Sequence, residues 1–580
     1  MYRYRTKSLL GFAAGLAVAV ALTACGGGGG GGGGGGMMAF PETPTTPPVV
    51  EAPQTPAQPT DSPLVAACTG CGAVDQNTYG GSGTGVWQAS NTSTIPVDIP
   101  VSIKGLNGQL VTLVFTNESA EAVPMPALQI YNLGGKTQLL SKSVIGDVEP
   151  NKVDVAAKAE ISEFNRAGFG KLLGGKASKS MYAAKLTAPT APSQASGYAV
   201  GQQRTVYLND RSQRTVRLAD QKMTGDGTMV NVWVEASELA PARVSDALVT
   251  RMRDTFAGTG GIYDMLVKVG GPLWGPHAES FLLDGTAQPI DIFFVNFDQN
   301  NQAYGLGGYF WALNNFKKDG DPQLAMSNES LSLYMDTETM YLDGERGLKQ
   351  IVTALAHEGM HMQNFYRRGV QMGVEFTFDI WLEEMSALMM EDWASFKLDE
   401  AHNAIRDVRF PSYLNYRGVG SYNCSLLNWT PMAATCESYA VSGSFGGFLN
   451  RQFGLGFFKS VLNSTGIEDS ADILDAAIKA QRAGSGIGKE LRRFSAASAG
   501  LVPVSSGVPE YTMPARSEEG FNLVDIDPAF FGEVERGLPS AVPAQLESLA
   551  SFPVTRYHAT GTYNETIRVP RGTTLTVIVN

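Results

Sequence analysis

The stretch AHEGMHMQNF, Ala356 to Phe365, holds two of the chain's five histidines, four residues apart, with a glutamate directly after the first. On a helix, side chains four apart project from the same face, so His357 and His361 can reach one ion. Glu358 stands one step round, where it can take a proton from a water on that ion without binding the ion itself. The chemistry this spacing suits is metal-assisted hydrolysis on a single catalytic Zn2+. Ile351, Val352, Leu355, Met362 and Phe365 form an apolar stripe that would bury the helix with or without a metal. That burial would leave two histidines and a glutamate beside the core, a costly arrangement unless an ion or hydrogen bonds satisfy them.

A catalytic zinc keeps three protein ligands and one open position, so a third ligand is required. The pattern HExxHxxGxxH does not supply it, because Asn364 stands at the glycine position and Arg367 at the third histidine. His277, His402 and His558 lie in no recognisable ligand motif. The next helix reads DIWLEEMSALMMEDW, with a buried face of Trp381, Leu382, Met385, Leu388 and Met389 beside Glu383 and Glu384. One of these two glutamates is expected to be the ligand. Glu391, seven residues beyond Glu384, lies two turns along the same face, where it can hydrogen-bond a ligand histidine from behind.

The combination of AHEGMHMQNF, WLEEMSALMMED and the preceding SNESLSLYMDTE resembles the hyicolysin family of zinc metallopeptidases, best over residues from about 200 to 460. The resemblance implies a gluzincin, with a glutamate as third ligand. The family's second motif, Trp-Leu-Asn-Glu-Gly, places that ligand on Glu384 and the asparagine on Glu383. It also implies a protein or peptide substrate, and an oxyanion donor resembling Tyr439 in CESYAVSGSFGGFLNRQFG. Three residues depart from the family pattern: Gly359, Glu383 and Met385. None removes a ligand, but Glu383 adds a negative charge near the metal and remains the alternative third ligand. SLSLYMDT (330–337) reads as an edge strand on which an extended peptide would pair, which points to endopeptidase action. The competing readings are an exopeptidase, and a surface adhesin or binding lipoprotein whose zinc is structural or absent.

The elements that must position these residues read as a multidomain chain. Short β-branched runs from 81 to 226 predict an N-terminal β-rich, sandwich-like domain. Within it, QRTVYLND (203–210) and QRTVRLAD (213–220) predict two successive strands joined by a polar turn. Residues 227–500 predict an α+β metallopeptidase domain, with helices from Leu348 to about Tyr366 and from about Phe378 to Phe396. The alternation in NETIRVPRGTTLTVIVN predicts a small C-terminal β unit within 501–580. Residues 167–194, rich in Gly, Ala, Ser and Lys, read as a mobile loop.

At the N-terminus, Arg3, Arg5 and Lys7 precede an apolar run from Leu9 to Ala24, the pattern of an export signal over residues 1–24. Leu22-Thr23-Ala24-Cys25 resembles the lipobox of bacterial lipoproteins, which implies lipidation of Cys25 and a membrane anchor in the bacterial cell envelope. Residues 25–80 then form a tether, beginning with polyglycine and continuing through a Pro/Thr-rich stretch too poor in apolar residues to order itself. Without residues 1–24 the chain carries 41 Lys and Arg against 56 Asp and Glu, a surface that disfavours nucleic acid. Four cysteines remain beyond Cys25. In an exported chain Cys424 is expected to pair with Cys436, and Cys68 with Cys71.

Overall fold

The computed structural model describes residues 63–128, 130, 152–172, 197–318, 321–532, 536–556 and 558–580. The expected signal, Cys25 and most of the tether lie outside the described residues. No helix among the described residues is long and apolar enough to cross a membrane.

The central sheet has six strands, in the order Gly308–Phe310, Leu331–Asp336, Ile290–Val295, Met229–Glu235, Gln213–Met223 and Gln203–Tyr207. The three strands Met229–Glu235, Ile290–Val295 and Leu331–Asp336 run parallel and are buried along their whole length. Their near-continuous apolar sequences, such as IDIFFV, suit strands covered on both faces. The duplicated QRTV segments pair antiparallel as one hairpin, with Arg211 in the left-handed region at its turn. That hairpin joins Met229–Glu235 in the central sheet, so the expected boundary at residue 226 runs through a hydrogen-bonded sheet. The local pattern identified the strands; it carried no information on which neighbour would continue the sheet.

Residues 65–117 and 550–579 build a second β structure together. Its five-stranded sheet runs Val65–Ala66, Gly85–Ser90, Thr573–Val579, Val111–Asn117 and Ala550–Thr555. Ala559–Val569 pairs with Val97–Gln109, and the apolar faces of this ribbon and the sheet share one core, including Ile103, Val569, Trp87 and Phe115. The expected separate C-terminal β unit is therefore half of the N-terminal sandwich. Each of these strands has one apolar face that must be covered, and the cover comes from more than 400 residues away. Helix Ile487–Ala499 joins this structure to the rest of the chain: Ala496, Ala497 and Ala499 pack on Val86, Val114 and Ile578. Alanines keep that helix close to the sheet.

The helices that matter for function lie over the central sheet. The active-site helix spans Gly344–Asn364 and runs on into a wider turn, Phe365–Val370. Helix Ile262–Gly270 crosses it so closely that a Cβ on Gly359 would stand 2.5 Å from Leu266 Cδ1. Glycine at 359, unusual for the resembled family, is explained by that approach. Helix Ile380–Ala394 follows, then Ser438–Phe453, which Gly454 ends with a φ of 80°. The large Met385, another departure, is accommodated where Ser438–Phe453 presents Gly446, whose absent side chain leaves room for it. The start of the expected mobile loop is ordered: Gly168–Lys171 is a short helical turn with Phe169 fully buried, because its ring has a core to enter. Residues 173–194 of that stretch lie outside the described residues.

Candidate metal centre

His357 and His361 are on the inward face of the active-site helix, their rings edge to face with centroids 4.6 Å apart. Helix Ile380–Ala394 brings Glu384 against them. Its Oε2 lies 3.2 Å from His357 Nε2 and 3.9 Å from His361 Nε2. Candidate ligand atoms of these three residues all fall within 4.8 Å of one another, the one such group among the described residues.

Each histidine is held from behind by a carboxylate on the glutamate helix. His357 Nδ1 is 2.8 Å from Glu391 Oε1, and His361 Nδ1 is 2.8 Å from Glu383 Oε1. A carboxylate that accepts a hydrogen bond from Nδ1–H keeps the ring proton on that nitrogen and leaves the Nε2 lone pair available to a metal. Glu391 is in turn met by the Arg409 guanidinium, 3.4 Å away. Glu383 accepts a hydrogen bond from Asn364 Nδ2 at 3.1 Å, and Asn364 also donates to Ser386 Oγ. Glu384 faces the two Nε2 atoms, while Glu383 reaches the far side of one ring.

The donor set fits a divalent cation on three observations. Glu384 Oε2 is buried without a hydrogen-bond partner, an expensive state that an ion would relieve. Four carboxylates, on residues 358, 383, 384 and 391, gather at this centre, and Arg409 is the guanidinium that meets one of them, Glu391. The electrostatics point the same way. Burial would lower the His357 imidazole, but the adjoining Glu384 and Glu391 carboxylates override it and lift it to about 10. Burial would raise Glu384, yet His357 and His361 hold it at about 2. A site that favours one extra positive charge this strongly suits a cation, and two imidazoles with one carboxylate are ligands that zinc takes.

Glu358 lies beside this centre, 7% exposed, with Oε2 accepting the Phe310 main-chain N–H at 2.8 Å. Phe310 ends Gly308–Phe310, which is the edge strand next to the site. SLSLYMDT was expected to be that edge; instead Leu331–Asp336 lies between two strands, so its main chain is already paired on both sides. Tyr439, at the start of Ser438–Phe453, lines the same groove. Its ring packs edge-on against Trp429 at 4.8 Å and lies 5.5 Å from the Arg409 guanidinium. Cys424 and Cys436 are bonded and close the loop carrying Trp429; Cys68 and Cys71 are bonded as well. Burial, with the charges of Glu384 and Glu358, pushes the Tyr439 phenol well above its ordinary range, so it remains a donor. A groove of about 900 Å3 runs from His357 and Glu384 past Tyr439 and Arg409.

The remaining histidines have other partners: His277 meets the Leu283 carbonyl, His402 meets Asp407, and His558 meets the Gly108 carbonyl. Sequence reasoning did not find Arg409, Asn364 or the Phe310 main chain, which reach the site through tertiary packing alone. The positioning role of Glu383 had one visible signal, an acid where the resembled family carries asparagine. Glu383→Gln is expected to lower metal affinity by about 10–100-fold, measured by competition with a chromophoric chelator. Unchanged affinity would show that Glu383 does not orient His361.

A family model described as Peptidase M30 matches residues 210–580. A second, described as a domain of unknown function (DUF8571), matches residues 66–130. The chain is 26% identical over 280 residues to neutral metalloprotease ShpI of Staphylococcus hyicus, an alignment covering 47% of this chain and 56% of that protein. With a match across more than half its length and a histidine–histidine–glutamate centre inside it, the chain belongs to the peptidase M30 family of metallopeptidases.

Proposed function

We propose that this protein is a zinc-dependent endopeptidase. The observation that carries the reading is the convergence of His357, His361 and Glu384 beside Glu358, at the wall of an open groove. Those three residues would hold the ion. Bound there, zinc supplies the Lewis acidity that makes water a usable nucleophile near neutral pH. Glu358 takes the proton of the attacking water and returns it to the leaving amine. The Phe310 N–H, bonded to one Glu358 oxygen, keeps the carboxylate aimed during both transfers. The Tyr439 phenol, held protonated, donates to the oxygen on which negative charge develops. The edge strand Gly308–Phe310 and the 900 Å3 groove support an extended substrate that continues beyond the cleaved bond.

Digestion of a mixed unstructured protein by the purified chain is expected to release fragments whose new ends lie inside the substrate sequence. Stepwise loss of single terminal residues would replace the endopeptidase assignment with an exopeptidase one.

The same proposal places the protein in the bacterial cell envelope, anchored through a lipid on Cys25. The basic start, apolar run and Leu22-Thr23-Ala24-Cys25 support it. Cys25→Ala, expressed in a bacterial host, is expected to move the protein from the membrane fraction to the soluble fraction. Equal membrane association of both chains would remove the lipid anchor from the proposal.

A further inference from the structure

Helix Lys152–Arg166 and the turn Gly168–Lys171 fall between the two matched regions, 66–130 and 210–580, and belong to neither. They nevertheless wall the reaction groove. On the His361 side of the centre the free space shrinks to about 60 Å3, against about 900 Å3 on the Arg409 side. Ile161, Phe310, Phe365 and Phe378 line the smaller space beside the metal centre. Ile161 is the apolar side chain that the inserted helix contributes to this narrower side.

The same helix closes the sheet edge. Asn165 Nδ2 donates to the Phe310 carbonyl, and Asn165 Oδ1 accepts from the Ala312 N–H, both at 2.8 Å. An added strand would need those main-chain groups to continue past Phe310. Asn165 occupies them with a side-chain amide in place of a peptide. The helix is firmly seated: Phe164 packs edge-on to Trp311 and Phe316, and Phe169 meets Phe365 at 5.0 Å. The Thr377 hydroxyl adds a hydrogen bond to the Arg166 carbonyl.

We infer that this inserted helix is a specificity wall, an inference that rests on the metallopeptidase reading. On the His361 side of the cleaved bond the inserted helix narrows the room for a substrate side chain and favours small residues, and strand pairing with the substrate stops at Phe310. Ile161 sets the side-chain size accepted there, and Asn165 sets how far the substrate main chain can pair.

The test is digestion of an unstructured protein by the full chain, Ile161→Ala and Asn165→Ala at equal metal content, with the product ends sequenced and the fold checked by near-ultraviolet circular dichroism. The parent is expected to show small residues at one position flanking the cleaved bond. Ile161→Ala should admit valine and leucine there at least about tenfold more often. Asn165→Ala should keep the small-residue preference and lower KM for peptides lengthened on that side. A parent indifferent to residue size at both flanking positions would overturn the wall. So would folded variants with unmoved profiles, or a uniform rise in rate on every substrate, which would make the helix a removable block. If Ile161→Ala fails to fold, Asn165→Ala decides. No cleavage by any chain, with metal bound, would sink the peptidase reading and the wall with it; cleavage with an unmoved profile sinks the wall alone.

Discussion

Glu358→Gln is expected to lower cleavage by about 10²–10⁴-fold while the protein keeps its fold and its metal. The glutamine oxygen can still accept the Phe310 N–H, so the hydrogen bond that seats the side chain survives. What disappears is the capacity to take a proton. The carboxylate of Glu358 is not one of the three converging ligand donors, so metal content should match the parent. Chelation, in contrast, should silence the parent completely, with recovery on adding zinc. Rates and metal content measured on the same preparations separate these effects. A Glu358→Gln variant that cut at the parental rate would remove the proposed base; one that lost its metal would show that Glu358 helps to hold the ion. If neither chain cuts while both bind metal, the binding-lipoprotein alternative stands.

Asp392→Ala is expected to cost about 3–5 kcal/mol of stability, because it leaves a buried guanidinium without its counter-charge. Asp392 and Arg451 have fully buried side chains. Asp392 Oδ2 accepts from Arg451 Nη1 at 2.8 Å and from Asn450 Nδ2 at 3.0 Å, and Oδ1 accepts from Asn403 Nδ2 at 2.7 Å. Asp392 follows Glu391 on the helix that carries Glu384, and Arg451 is on the helix Ser438–Phe453, which carries Tyr439. The pair therefore ties the helix that carries Glu384 to the helix that carries Tyr439. Replacing both partners by apolar residues, Asp392→Leu with Arg451→Met, should recover much of the loss, since no charge is then stranded. Urea unfolding of the single and double variants measures both quantities. A loss under about 1 kcal/mol for Asp392→Ala would mean that water reaches the guanidinium and that the network does not brace the site.

Local sequence was sufficient for whatever depends on helix or strand period. The four-residue spacing puts His357 and His361 on one face, the apolar stripe gives the active-site helix its buried side, and the repeated QRTV segments specify a hairpin. The seven-residue step from Glu384 to Glu391 likewise puts both on one side of a helix, where the fold sets them on the same imidazole. Neighbouring residues were harder to separate. Glu383 and Glu384 differ by about 100° around the helix axis, and only the crossing angle of the two helices decides which one meets Nε2 and which one meets Nδ1.

Long-range pairing was not legible. The C-terminal strands carry a clear alternation, but alternation states that a strand has an apolar face and says nothing about which strand will cover it. That choice went to residues 85–117, making a sandwich from both ends of the chain. The same limit misplaced the sheet edge: LSLYMD is as apolar as a buried central strand, and Gly308–Phe310, too short to announce itself, took the position beside Glu358. The sequence by itself therefore determined the chemistry available, two imidazoles and a glutamate on one helical face, because that depends on spacing within a single element. The tertiary structure alone decided how that chemistry is aimed: which carboxylate faces the two Nε2 atoms, which arginine meets Glu391 and which helix lines the groove. Those outcomes depend on contacts between elements far apart in the chain, which no local period encodes.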